Sequence, residues 1–442
     1  MRAKLTPSRV RNVALSALCA LLLTACGEKP EAMIASAKDY IAKNDRSAAT
    51  IQLKNALQKD ASLGEARFLL GKIYVEQGDY LGAEKELTRA FEAGYAPDQV
   101  VPLLAQTLLL AGQGDKLATQ FANVTLTQPE AKAALKTYEG HAALLKGKRE
   151  EASAAFAEAL QISPGFPLAR TAQIRLAASG GDLKAALADI EAVLKSAPKL
   201  PEANLLRGDL LIALNRDEES VGAYEAVVAE RPSDIVAYQN MISVLLRNNK
   251  LDVAQAKVAA MRKALNNHPL AVYLQAYIHV RNNKLEEAYE AVQQVLRAAP
   301  DYVPALMLAA TLQLQRQDFV QAQQNIKKVL ERVPNMRQAQ RLLVSVYVGQ
   351  RESARALEAL QPLLKERTDD VALLNLAGQV YAINGDFARS EEYFGRASAA
   401  DPKNAQLRTR LGVSRLAGGE VEQAFQDLEA ASALDADRKS VV

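Results

Sequence analysis

Hydrolysis, group transfer and metal chemistry need nucleophiles, bases or ligands at fixed spacings, and this 442-residue chain offers few of them. Its three histidines are His141, His268 and His279. His268 and His279 have no histidine partner one helical turn away and no cysteine nearby, so neither has the spacing of a metal site. The chain has no phosphate-cradling glycine loop and no Gly-x-Ser-x-Gly elbow. Acidic runs such as Glu286-Glu287 and Glu391-Glu392 read as solvated faces. The expectation is a protein that is not an enzyme and takes no cofactor and no metal. The net charge of +3 includes four cations, and no acids, in residues 1–25. The remainder is essentially neutral and lacks the basic stripe of a nucleic-acid binder.

One cysteine does point to chemistry. Arg2, Lys4, Arg9 and Arg11 precede an apolar stretch from Val13 to Leu23. That stretch is too short to span a bilayer, which takes about 20 residues, and reads as an export signal. It ends in Leu23-Thr24-Ala25-Cys26-Gly27, which resembles the bacterial lipobox. That resemblance implies removal of residues 1–25 and diacylglycerol on the Cys26 thiol, leaving residues 26–29 as a lipidated tether. Cys19 would leave with the signal, so no disulfide is expected. Several acyl chains anchor firmly, at about 0.8 kcal/mol per buried methylene. The expected location is the bacterial cell envelope. Gly27 after the cysteine favours, by resemblance to sorted lipoproteins, the outer membrane facing the periplasm; the inner membrane stays open.

The elements that must carry any binding surface follow from a period. Ala152, Ala186, Ala254, Ala288, Ala322, Ala356 and Ala424 fall on a 34-residue ruler, and so do Pro164, Pro198, Pro232, Pro300, Pro334 and Pro402. A period of this length means one supersecondary unit stacked many times. Repeats begin at Pro30, Gly64, Asp98, Ala133, Pro167, Pro201, Ile235, Pro269, Val303, Arg337, Val371 and Ala405, with one extra residue before Ala133. The twentieth place is always small: Ala49, Ala83, Ala118, Ser220 and Ser390 complete the alanine series. Two helices approach closely only where neither carries a large side chain. Apolar residues recur at helical spacing on both sides of a short break. That break carries left-handed turn residues at Gly78, Gly147, Gly181, Asn249, Asn283 and Gly385.

Each repeat is therefore a helix-turn-helix, and it resembles the tetratricopeptide repeat (TPR). Gly71, Tyr74, Gly78-Asp79-Tyr80, Ala83 and Ala90 match that family in one repeat; Gly378, Tyr381, Gly385-Asp386-Phe387, Phe394, Ala397 and Pro402 match in another. The family's tryptophan is absent, with Tyr238 or Leu306 in its place, and the repeats at Pro30 and Asp98 are degenerate. The resemblance implies an all-α right-handed superhelix, an α-solenoid of about twelve repeats over residues 30–438, with a tail at 439–442.

In such arrays the first helices line a concave groove that binds extended ligands. Carrying over the family's groove-facing places gives Gln239, Ser243, Arg247, Tyr273, Tyr277, Arg281, Met307, Thr311, Arg341, Ser345, Asn375 and Gln379. These amides, tyrosines and arginines suit peptide backbones or sugar hydroxyls. Earlier repeats read blander there, with Phe68, Leu69, Thr171, Leu205 and Ile212. The partners implied are proteins or extended peptides, with the membrane reached through the lipid anchor and no nucleic acid. The last helix carries Leu428, Ala431 and Leu434 with no covering helix after it, so either another chain packs there or the sequence is a fragment.

Cys26-Gly-Glu-Lys-Pro30 opening the array, with the runs Lys54–Asp60 and Gly64–Asp79, resembles the PrsT family of TPR lipoproteins in the PEP-CTERM/exosortase system. That resemblance implies a scaffold in exopolysaccharide production and PEP-CTERM protein sorting, with exopolysaccharide machinery among its partners. An outer-membrane assembly or secretion lipoprotein, pilotin-like or a polysaccharide-export scaffold, is the alternative. A third possibility is a glycosyltransferase whose catalytic domain lies beyond Val442.

Overall fold

A computed structural model describes residues 29–365 and 368–440. The expected signal, Cys26 and the last two residues lie outside this range. Every regular element among the described residues is a helix, and none is long and apolar enough to cross a membrane. Contacts divide the chain into two compact units, Met1–Asn249 and Lys250–Val442.

The N-terminal unit pairs α1 (Pro30–Ala42) with α2 (Arg46–Lys59), α3 (Gly64–Gln77) with α4 (Tyr80–Glu92), and α5 (Pro97–Leu110) with α6 (Lys116–Gln120). Next come α7 (Pro129–Leu145) with α8 (Arg149–Ile162), α9 (Pro167–Ala178) with α10 (Leu183–Ser196), and α11 (Pro201–Ala213) with α12 (Asp217–Glu230). Helix α13 (Ile235–Arg247) ends the unit. The C-terminal unit opens with α14 (Leu251–Ala264). Its pairs are α15 (Pro269–Arg281) with α16 (Leu285–Ala298), α17 (Val303–Gln315) with α18 (Phe319–Arg332), and α19 (Arg337–Gly349) with α20 (Ser353–Leu360). A short 3-10 turn, Gln361–Leu364, follows α20. The last pairs are α21 (Val371–Ile383) with α22 (Phe387–Ala400), and α23 (Ala405–Gly418) with α24 (Val421–Ser440). Helix α24 continues past the array end expected at residue 438.

The turn after each first helix obeys one backbone rule. Asn44, Gly78, Gly112, Gly147, Gly181, Asn215, Asn249, Asn283, Gln317, Arg351, Gly385 and Gly419 all have positive φ. The next residue then caps the second helix wherever it is aspartate. Asp45, Asp79, Asp182, Asp318 and Asp386 each accept a hydrogen bond from the backbone N–H three residues on.

Packing within a pair rests on matched side-chain sizes. The small residue at the twentieth place is buried in every pair except one. Where the eighth place is glycine, a bulky side chain fills the gap: Phe156 lies against Gly140, Tyr224 against Gly208 and Phe394 against Gly378. A Cβ on any of these glycines would stand 2.4–2.7 Å from a ring carbon. Between pairs, clusters such as Met33, Ile34, Leu53, Ala66 and Leu70 continue the core from one hairpin into the next.

The exception is the third pair, where Ala118 is exposed and Leu117 is buried instead. After Gln120 the chain turns at Asn123 and then runs extended through Val124, Thr125 and Thr127, whose β-branched side chains favour that backbone. Phe121 packs edge-on against Phe91, with ring centroids 5.9 Å apart. Asp98 holds the extended segment by accepting from Thr127 N at 2.8 Å and Gln128 N at 3.0 Å. The repeat at Pro30, degenerate in sequence, nonetheless forms two regular helices.

One contact in the N-terminal unit departs from nearest-neighbour stacking. Ser233 Oγ, in the turn after α12, donates to the Glu76 carbonyl at 3.0 Å across 157 residues of sequence. A cavity of about 680 Å³ lies beside it, lined by Arg46, Glu76, Tyr80, Lys199 and Arg231 among others. Its cations are already paired: Arg46 with Glu76, Lys199 with Glu230 and Arg231 with Glu202.

Candidate functional site

In the C-terminal unit the inner faces of α19, α21 and α23 line two adjoining cavities. One holds about 580 Å³ and is lined by Gln338, Arg341, Ser345, Val348, Asn375 and Gln379, together with Leu342, Ala372 and Leu376. The other holds about 330 Å³ and shares Val348 and Gln379. Its wall is mostly apolar, from Ala382, Ile383, Phe387, Val413 and Ala417, with Thr409 and Arg410 at the polar edge.

These side chains are set by helix register. Gln338, Arg341, Ser345 and Val348 recur three and four apart on α19, so they share a stripe; Ala372, Asn375, Gln379 and Ala382 repeat it on α21. Asp370 caps α21, accepting from Ala372 N at 2.9 Å and Leu373 N at 3.1 Å. The same carboxylate pairs with Arg341 Nη1 at 2.7 Å. Burial opposes its charge, yet the Leu373 amide and the Arg341 guanidinium hold its pKa below the ordinary value. Arg410 Nη1 donates to Asn375 Oδ1 at 2.6 Å. The trough is thus a polar half with preset amide and guanidinium donors, joined to an apolar half.

The residues expected to face a groove divide between the two units. In the N-terminal unit, Gln239 and Ser243 are exposed on α13. Arg247 is exposed but grips Asp217 with both Nη2, at 2.6 Å, and Nε, at 3.2 Å. Asn248 donates to the same carboxylate, and it, then Arg247, keep the Asp217 pKa low against burial. Arg247 therefore ties α13 to α12.

In the C-terminal unit, Arg341, Asn375 and Gln379 come together in the trough, with Ser345. Tyr273 and Tyr277 are half-buried on α15 and Arg281 is exposed at its end. Tyr273 also packs edge-on against Tyr302, 5.6 Å between centroids, beside Val272, Val295 and Ala305. Burial, then Tyr302 and Tyr277, push its phenol pKa up. Met307 is a correction: it is buried among Leu306, Ala310 and Ile326 and faces no groove. The Thr311 hydroxyl donates back to the Met307 carbonyl at 2.9 Å.

The N-terminal unit corrects the expectation of a bland inner face. Thr171 is buried and donates to the Pro167 carbonyl. Asp209 instead collects a polar network: Tyr224 OH at 2.9 Å and Asn240 Nδ2 at 3.3 Å on Oδ1, and Arg175 Nη1 at 3.3 Å on Oδ2. Burial, then Asp209, raise the Tyr224 phenol pKa. Nearby, His141 stacks edge-on with Phe156, and burial, then Arg175, lower its pKa. Arg175 and Asp209 occupy the same place in successive repeats, so this ion pair was readable from the 34-residue step. Arg410 and Val413 were missed because the groove was taken to stop at Gln379. Among the described residues no group of three or more His, Cys, Asp or Glu is placed to hold a metal ion.

Comparison with known proteins bears on the fold. One tetratricopeptide repeat model matches residues 171–235, 240–303, 342–394 and 375–439, a second matches 279–335 and a third 64–93. No curated protein matches the chain. Among solved structures, the APC/C hetero-tetramer Cut9–Hcn1 is 14% identical, with 93% of this chain and 88% of that one covered at a TM-score of 0.43. The TPR domain of P58(IPK) is 14% identical, covering 88% and 98% at 0.35. A tetratricopeptide repeat protein from Parabacteroides merdae is 15% identical, covering 64% and 98% at 0.30. With one repeat model matching more than half of its length and helix pairs in both units keeping the repeat's turn, the chain belongs to the tetratricopeptide repeat family.

Proposed function

We propose that the chain is an envelope-tethered scaffold that binds protein partners along the inner faces of its first helices. The observation that carries this reading is the trough of the C-terminal unit. There Arg341, Ser345, Asn375 and Gln379 line one cavity on consecutive hairpins. Stacked hairpins offer long, rigid surfaces suited to extended segments, and a row of amides and a hydroxyl supplies donors and acceptors to a peptide backbone.

The tether rests on sequence. Arg2, Lys4, Arg9 and Arg11, the apolar run and Leu23–Cys26 support lipidation of Cys26 in a bacterial envelope, and Gly27 supports the outer membrane facing the periplasm. The resemblance of the Cys26–Pro30 and Lys54–Asp79 runs to PrsT lipoproteins supports a role in exopolysaccharide production and PEP-CTERM protein sorting.

A photo-crosslinking residue in place of Gln379 tests the binding surface, with one in place of exposed Lys328 on α18 as the comparison. The scaffold reading expects a discrete protein adduct from position 379 in intact cells and none from 328. Adducts from 328 alone would refute it. Metabolic labelling with a palmitate analogue tests the tether, which expects label on the wild type and none on Cys26→Ala.

A further inference from the structure

We infer that the trough of the C-terminal unit selects an extended peptide in which a carboxylate side chain adjoins a large aliphatic or aromatic one. This deepens the scaffold reading and rests on it.

The two cavities share Val348 and Gln379, so they form one trough with two chemistries. Along the first half, Gln338, Ser345, Asn375 and Gln379 offer neutral donors and acceptors that suit a main chain. The second half is a pocket of carbon surface. Ile383 remains 38% exposed and Val413 54% exposed, although both sit on inner faces beside Phe387 and Ala417. Together they leave an apolar pocket that a partner's aliphatic or aromatic side chain can fill.

Charge fixes the rest. The lining of both cavities includes two arginines, Arg341 and Arg410, and no aspartate or glutamate. Arg341 is already paired with Asp370. Arg410 donates to the neutral Asn375 amide oxygen. A partner carboxylate would exchange that neutral acceptor for a charged one and form a stronger bond. Because Arg410 lines the same cavity as Ile383 and Val413, the partner's acid and its apolar anchor must be neighbours in its chain. A nucleic-acid phosphate would satisfy Arg410 and leave the apolar pocket empty, which makes a peptide the better fit.

A phage-displayed random peptide library panned on the full chain tests this. Fluorescein-labelled copies of the selected peptides are then titrated by anisotropy. Selected peptides should share Asp or Glu beside Leu, Ile, Met or Phe. Arg410→Gln should weaken them about tenfold, the loss of one charge-assisted contact, and added salt should weaken wild-type binding more than binding to that variant. Val413→Asp should abolish binding, with Ile383→Ser as the second pocket variant should Val413→Asp lose helical circular dichroism. Lys328→Ala should bind as wild type. Peptides lacking the acid–apolar pair, or binding unchanged by Arg410→Gln and the pocket variants, would overturn this inference while leaving peptide binding intact. A library yielding no binder at all would overturn both this inference and the groove-binding reading.

Discussion

Gly208 and Tyr224 show how single residues set the spacing of this fold. A Cβ on Gly208 would stand 2.7 Å from two carbons of the Tyr224 ring, which is fully buried and bonded to Asp209. Gly208→Ala is expected to destabilise the protein by about 1–3 kcal/mol, the usual cost of overpacking. Gly222→Ala is the opposite case, since nothing lies within 4 Å of its added Cβ on α12. There the gain in helix propensity should stabilise by about 0.5–1 kcal/mol. Urea unfolding midpoints of the two variants check both signs. His141 belongs to the same scale. Burial, then Arg175, depress its folded pKa below the ordinary 6.5. The neutral ring is favoured on folding, so its contribution is complete above pH 6.5 and is lost as pH falls below that, where the unfolded chain takes the proton. His141→Gln should flatten the fall in urea midpoint between pH 7 and pH 5; an unchanged slope would remove His141 as its source. Tyr273→Ala is expected to lower stability as well as affinity, because the ring packs on Tyr302. Tyr277→Ala is the cleaner test of binding.

At the scale of the helix pair, most of the architecture was legible in the sequence. Gly78, Gly147, Gly181, Asn249, Asn283 and Gly385 stood out because glycine and asparagine announce a left-handed turn, and all six adopt it. Gln317 and Arg351 take the same backbone conformation without announcing it, at φ 61 and 58. Only the 34-residue step could have found them. Replacing either with asparagine should stabilise by about 1 kcal/mol, and Gly385→Ala should cost about as much. Melting temperatures of the three variants would show it, and a destabilised Arg351→Asn would contradict it. The third pair escaped the period because its second helix ends after Gln120 and its register follows Leu117 and not Ala118. Met307 was misassigned for a related reason: place in a repeat fixes a face only if the neighbouring hairpin packs in the average way, and here Leu306, Ala310 and Ile326 enclose it.

At the scale of the whole molecule, sequence periodicity says which hairpins follow one another and little about which distant ones meet. The Ser233–Glu76 contact depends on small rotations accumulated over several hairpins, and no residue type signals it. It can be tested directly. A Cβ built on Gly78 lies 3.8 Å from Ser233 Cβ, within the span of about 3.5–4.5 Å that a disulfide bridges. Gly78→Cys combined with Ser233→Cys should oxidise to an intramolecular disulfide that neither single variant forms, seen as loss of two alkylatable thiols by intact mass. A helical double variant that stays reduced would show that the N-terminal unit does not close on itself. The trough of the C-terminal unit was half legible: Arg341, Asn375 and Gln379 follow from register, whereas the apolar pocket around Val413 emerges only when α23 is seen beside α21.

The account stands on the claim that partners lie along the first helices of the C-terminal unit. Hydrogen–deuterium exchange of the full chain, with and without a peptide selected on it, measures this most directly. Slowed exchange confined to α19, α21 and α23 is the expected result. Protection on the second helices α20, α22 and α24 with none on the first would contradict it.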